Sequence, residues 1–255
     1  MGGIAASLRA LVSGLIDYAG LYPPAGLPLD GVVERYERYR AGADGWMLNR
    51  LVLPAAKLAE AAPRRGWRVS LLVDGEPGAL PPEVETLETR LPRRLSLPTY
   101  CEAPLESIDG GFAKVRTGGL TPDAIPSCAE VAGFLARAAA LRRPFKATAG
   151  LHHALRSSRA LTYAADSPCA VMHGFINVFA AAVFAWHGTD AAALEAVIAE
   201  DEPRAFAFHD AEMRWRGRAL STAQIGEARR AFAHSFGSCS FEEPVADLRE
   251  LGLLT

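Results

Sequence analysis

The chain has 255 residues, half of them hydrophobic and 22% charged, with a formal charge of −2 at pH 7. That length and composition suit a globular protein able to bury a core, and the near-neutral balance without a long basic run argues against nucleic acid as the main partner. No stretch reads as a membrane span: the longest apolar one, CAVMHGFINVFAAAVFAW, is interrupted by His173, Gly174 and Asn177.

In chain order, apolar β-rich segments alternate with Ala-, Leu- and Arg-rich helical ones. The N-terminal MGGIAASLRALVSGLIDYAG lacks a basic leader region, which places the protein in the cytoplasm as a helix running into a strand at 13–21. A Pro-punctuated loop follows, then a helix at 31–42 with Asp30 as N-cap. WMLNRLVLP (46–54) is expected as a strand, AAKLAEAAPRRG as a helix and WRVSLLVD (67–74) as a strand. PPEVETLETRL fits either a short helix or a strand, and LPTYCEAPL (97–105) reads as a strand.

Downstream, GFAKVRTGG is a strand, 127–143 a helix, PFKATAGLHH a strand and ALRSSRALTYAA a helix. A strand in PCAVMHG then passes into a helix, a second helix covers 190–201, and RAFAFHDAEMRWRGRALS suggests a hairpin. A helix at 222–235, a short strand and a last helix with Pro244 at its first position close the chain. Seven to nine strands alternating with helices predict one (β/α)8 barrel spanning 1–255, with a doubly wound open α/β sheet as the alternative. No GxGxxG follows the first strand, which weakens a dinucleotide fold. The four scattered cysteines form no CxxC pair and read as reduced thiols.

Of the 27 Lys+Arg only three are lysine: Lys57, Lys114 and Lys146. Lys114 and Lys146 both fall inside strands, just before the small-residue turns TGG and TAG. Arginine stays protonated, whereas a buried lysine can shed its proton and act as nucleophile or base, so lysine here points to chemistry. The alternative is that each anchors a buried carboxylate. Thirty-two positions apart with one helix between, they should lie side by side on neighbouring parallel strands. Mutual repulsion would then free one amine to attack a carbonyl and form a Schiff base.

The segments KVRTG (114–118) and KATAG (146–150) resemble the lysine-bearing strands of deoxyribose-phosphate aldolase and related class I aldolases. The resemblance covers about 40 residues and implies a (β/α)8 barrel, Lys114 as the Schiff-base residue and Lys146 as the amine that lowers its pKa. Arg116 departs from that pattern, LHH after the second motif has no counterpart in it, and its catalytic carboxylate is not located.

Other residues complete the expected site. Arg116, on the same strand face as Lys114, would grip an anion together with the turn glycines Gly118 and Gly119. His152, His153 and His173 are expected at adjacent strand ends, as acid/base groups or, with Asp or Glu, as ligands of a divalent metal ion. Asp17 and Glu102 are candidate proton shuttles. Asn177, Arg50 and Ser238 are candidate substrate contacts, while His187, His209 and His234 receive no role. The first reading is therefore a lyase or aldolase that acts on a small anionic carbonyl compound through a lysine Schiff base, without a cofactor. The second is a metal-dependent barrel lyase, isomerase or hydrolase; the third is a ligand-binding barrel without chemistry. A homo-oligomer is compatible with each.

Overall fold

The computed structural model describes residues 3–254. Eight strands form a closed barrel: β1 (Ile16–Tyr18), β2 (Leu48–Pro54), β3 (Val69–Leu72), β4 (Val84–Thr89), β5 (Thr99–Cys101), β6 (Phe112–Arg116), β7 (Phe145–Thr148) and β8 (Ala233–Ser238). Every neighbouring pair is parallel and β8 returns to β1. The expected (β/α)8 architecture therefore forms, and the open sheet does not.

Helix α1 (Ala6–Val12) precedes β1, and α2 (Leu29–Ala41) packs through Leu29, Val32, Tyr36 and Tyr39, an apolar stripe at helical spacing. A single turn, α3 (Leu58–Ala61), follows β2. No α-helix separates β3 from β4, β4 from β5 or β5 from β6, so the outer layer is incomplete. Helix α4 (Cys128–Ala140) is fixed at its start by a capping box between Ser127 and Glu130.

The long excursion between β7 and β8 holds α5 (Phe175–Trp186), α6 (Ala191–Ala199) and α7 (Thr222–Ala231). Helix α5 is apolar except for Asn177, and every residue from Phe175 to Ala185 is buried. Phe175 stacks on Phe236 of β8 and Phe179 on Phe145 of β7, while α4, α6 and α7 cover its other flanks. Helix α8 (Glu242–Glu250) ends the fold. No helix among the described residues is long and apolar enough to cross a membrane.

Several local expectations change. PPEVETLETRL resolves as barrel strand β4. ALRSSRALTYAA is not helical: Ser157–Ala160 pairs antiparallel with Cys169–Met172 in a two-stranded sheet outside the barrel. His173 thus does not end a barrel strand. The 206–221 region makes three antiparallel strands where two were expected. Pro28, not Asp30, precedes α2, and no side chain caps that helix. Pro244 is the third residue of α8, behind Glu242 and Glu243.

Candidate functional site

Strand alternation sends one set of side chains into the barrel lumen, and here that set is polar. On β1, Ile16 and Tyr18 pack outward in the apolar core, and Asp17 between them faces inward. Lys146 of β7 reaches both Asp17 of β1 and Glu88 of β4, strands that are not its neighbours, so these bonds cross the lumen.

Lys114 and Lys146 are register partners on β6 and β7, as their spacing predicted. Their ammonium groups share one carboxylate. Glu88 Oε2 lies 2.8 Å from Lys114 Nζ, and Glu88 Oε1 lies 2.6 Å from Lys146 Nζ. Lys146 also donates to Asp17 Oδ2 at 2.6 Å. The lumen thus carries a chain of alternating sign: Lys114, Glu88, Lys146, Asp17. Both carboxylates are further satisfied. Asp17 accepts from the Asn49 amide, the Arg50 backbone N–H and the Ser235 hydroxyl, and Glu88 accepts from the Ser70 hydroxyl, itself bonded by Thr86.

This arrangement replaces the like-charge account. Burial alone would lower the Lys146 pKa, but the Asp17 and Glu88 charges and their hydrogen bonds reverse that and raise it. Burial would raise Glu88, and the charges of Lys114 and Lys146 override it, holding its carboxyl well below the usual range. Lys146 is therefore a fixed cation, its side chain 1% exposed. Lys114 is held less tightly: it has one close carboxylate, Glu102 stands at 3.5 Å, and its side chain is 8% exposed.

Lys114 lines a cavity of about 680 Å³ at the C-terminal end of the barrel, where chemistry sits in this fold. A second depression, of about 850 Å³, opens at the opposite end and contains none of the lumen lysines. Arg50 belongs to that far end, tied to Glu85 at 2.9 Å, because it stands two residues below Val52, which lines the upper cavity. It is not a substrate contact of the upper site.

Arg116 reaches the cavity but donates through Nε and an NH2 group to Glu102 Oε1. The turn glycines have a packing job. A Cβ on Gly118 would stand 2.8 Å from Gly150 Cα, and one on Gly119 2.5 Å from the Ala124 side chain. Gly118 lets two barrel turns touch, and Gly119, which lines the cavity, makes room for the Ala124 side chain. Ser238 is buried, its hydroxyl 3.3 Å from His152 Nδ1 and accepting from the Ser240 N–H. Asn177 is fully buried in α5 and bonds the Arg156 N–H and the Val197 and Glu200 carbonyls, a structural role.

The three histidines diverge. His152 lines the cavity with Nδ1 3.1 Å from Glu243, His153 meets Asp247 at 3.1 Å, and His173 Nε2 donates to the Pro126 carbonyl. Among the described residues no group of three or more His, Cys, Asp or Glu side chains is placed to hold a metal ion. Burial opposes charge on His152, but its contacts with Cys239 and Glu243 outweigh it and lift the pKa to about 9.

Two site residues escaped the sequence reading. Glu88 lay in a segment of undecided structure; the signal was charge balance, since two lysines buried in one lumen require carboxylates. Tyr22, in the Pro-rich loop after β1, lines the cavity, and its hydroxyl is buried without a partner. Compared with family models, curated proteins and solved structures, the chain matches none.

Proposed function

We propose that the protein is a lyase of the aldol type that works through a Schiff base on Lys114. One observation carries the reading: of two adjacent lysines that line the cavity, Lys146 is pinned at 2.6 Å by two carboxylates and is 1% exposed, whereas Lys114 has one close carboxylate and is 8% exposed. A nucleophilic amine must first lose its proton; Glu88 stays ionised, which leaves Glu102, 3.5 Å from Lys114 Nζ, as the carboxylate to take it.

The deprotonated amine adds to the substrate carbonyl, and the hydroxyl so formed leaves as water with the proton returned by Glu102, giving a protonated imine. That imine carries the same charge the ammonium carried, so Glu88 stabilises it without rearrangement. The electron pair of the scissile C–C bond flows into the imine nitrogen to give an enamine. The β-hydroxyl loses its proton to a carboxylate, for which Glu102 is the placed candidate, and becomes the carbonyl of the first product. Protonation of the enamine carbon and hydrolysis release the second product. Lys146, permanently charged, holds Glu88 ionised throughout.

Borohydride reduction in the presence of an aldehyde tests this: a stable adduct on Lys114, lost in Lys114→Met, is expected. A second reading, a binding barrel without chemistry, is favoured by the full pairing of charge in the lumen. Ligand binding with no adduct at Lys114 would select it.

A further inference from the structure

Resting on the Schiff-base reading, we infer that the cavity above Lys114 takes an uncharged carbonyl compound with a sizeable apolar group, and discriminates against phosphorylated or carboxylated ones. The charges at the reactive end cancel: Lys114, Lys146 and Arg116 stand against Asp17, Glu88 and Glu102, joined by contacts of 2.6–3.5 Å. His152 faces its own carboxylate, Glu243, and the lining adds one further charge of each sign, Asp74 and Arg90. With those partners counted the charges balance, and an anion approaching Lys114, Lys146 or Arg116 would displace a carboxylate; Arg90, which has no carboxylate partner among the described residues, is exposed at the rim.

Side-chain groups that could hold an anion in such a barrel are already engaged. The Arg116 fork is engaged by Glu102. After β8, the first turn of α8 carries Glu242 and Glu243, so carboxylates already occupy the helix start that would favour a phosphate.

The opposite wall is apolar. It is formed by Pro23, Pro24, Val52, Pro54, Ala55 and Leu72, from the ends of β2 and β3 and the loop after β1. A cavity of about 680 Å³ is far larger than a two- or three-carbon carbonyl compound needs. Lys114, on the charged side, would take the carbonyl, and the remaining body would displace water from the apolar wall.

The lysine count provides an internal reference, since Lys57 is partly exposed outside the site. Wild-type protein is reduced with borohydride in the presence of pentanal, succinic semialdehyde or glyceraldehyde 3-phosphate at equal concentration. Adducts at Lys114 and Lys57 are then quantified by peptide mass spectrometry. The Lys114:Lys57 ratio should be at least tenfold higher for pentanal than for either charged aldehyde. Equal or preferential labelling of Lys114 by a charged aldehyde overturns the inference. Labelling of Lys57 alone by all three overturns the Schiff-base reading, and the inference with it. Ala55 lies on the exposed rim of the wall, where Ala55→Arg leaves the packed core untouched. It should raise Lys114 labelling by succinic semialdehyde at least fivefold; an unchanged ratio contradicts charge balance as the basis of selection.

Discussion

Glu88 stands between Lys114 and Lys146, one carboxylate oxygen to each ammonium, at 2.8 and 2.6 Å. Strand register makes the two lysines neighbours, and this carboxylate makes them compatible. Removing it leaves two buried cations sharing Asp17 and Glu102. Glu88→Gln should therefore destabilise the fold by about 3–5 kcal/mol, measured by urea unfolding at pH 7. Glu88 has a depressed folded pKa, so its stabilisation is present above the unfolded value of about 4.3 and lost as pH falls through the folded one. The stability gap between wild type and variant should narrow in acid.

The two lysines should separate by readout. Lys146→Met strands Asp17 and leaves Glu88 with Lys114 alone, and should cost about 3–5 kcal/mol in denaturant unfolding. Lys114→Met leaves Glu88 paired with Lys146, so its stability loss should be clearly smaller, while its borohydride adduct disappears entirely. Equal destabilisation by the two would contradict the assigned division of roles.

Two histidines should titrate in opposite directions, visible in ring proton shifts by NMR. His152 has a folded pKa raised to about 9, so its stabilisation is present below the unfolded value of about 6.5 and fades as pH rises through 9. His234, at the far end of the lumen, is pushed down to about 4 by burial and then by the Arg229 charge, and it sits 2.8 Å from the Tyr100 hydroxyl. Its contribution is present above about 6.5 and fades as pH falls toward 4. His152→Gln should flatten the alkaline limb of a melting-temperature profile and His234→Gln the acid limb.

Gly118→Ala probes the turn contact. The added methyl would meet Gly150 Cα at 2.8 Å, backbone against backbone, with no flexible atom to yield. A loss of about 1–3 kcal/mol is expected in chemical denaturation, in the range of overpacking. Gly133→Ala on α4, where nothing lies within 4 Å of the new atom, serves as the control and should not destabilise.

Tyr22→Phe removes a buried hydroxyl that bonds to nothing. An unsatisfied buried polar group costs about 1–3 kcal/mol, so the variant should melt at or above the wild-type temperature. A drop of several degrees would mean that the hydroxyl has a partner in solution.

The barrel was legible because its signal is periodic. Alternating strand and helix patterns, strong in 112–148, specify parallel pairing whatever the details. The adjacency of Lys114 and Lys146 followed from the same logic. Less was legible where contacts between distant segments decide. The short run Ser157–Ala160 becomes a strand because Cys169–Met172 pairs with it, a partner that local propensity does not name. The charge state of Lys146 depends on Asp17, 129 positions away, and on Glu88, 58 away. Reading two lysines together suggested repulsion; the interposed carboxylate was invisible while β4 itself was unassigned.

The seam of the barrel lies between β1 and β8, and Asp17 joins the two through the Ser235 hydroxyl across 218 positions of chain. The candidate site is therefore finished only when the first and last strands meet. A chain still emerging from the ribosome, or one truncated before residue 233, would possess both lysines but lack the Ser235 arm of the cage around Asp17 and Lys146. Completion of the circle buries Lys146, so its loss of labelling by an amine reagent during refolding would serve as a clock for ring closure.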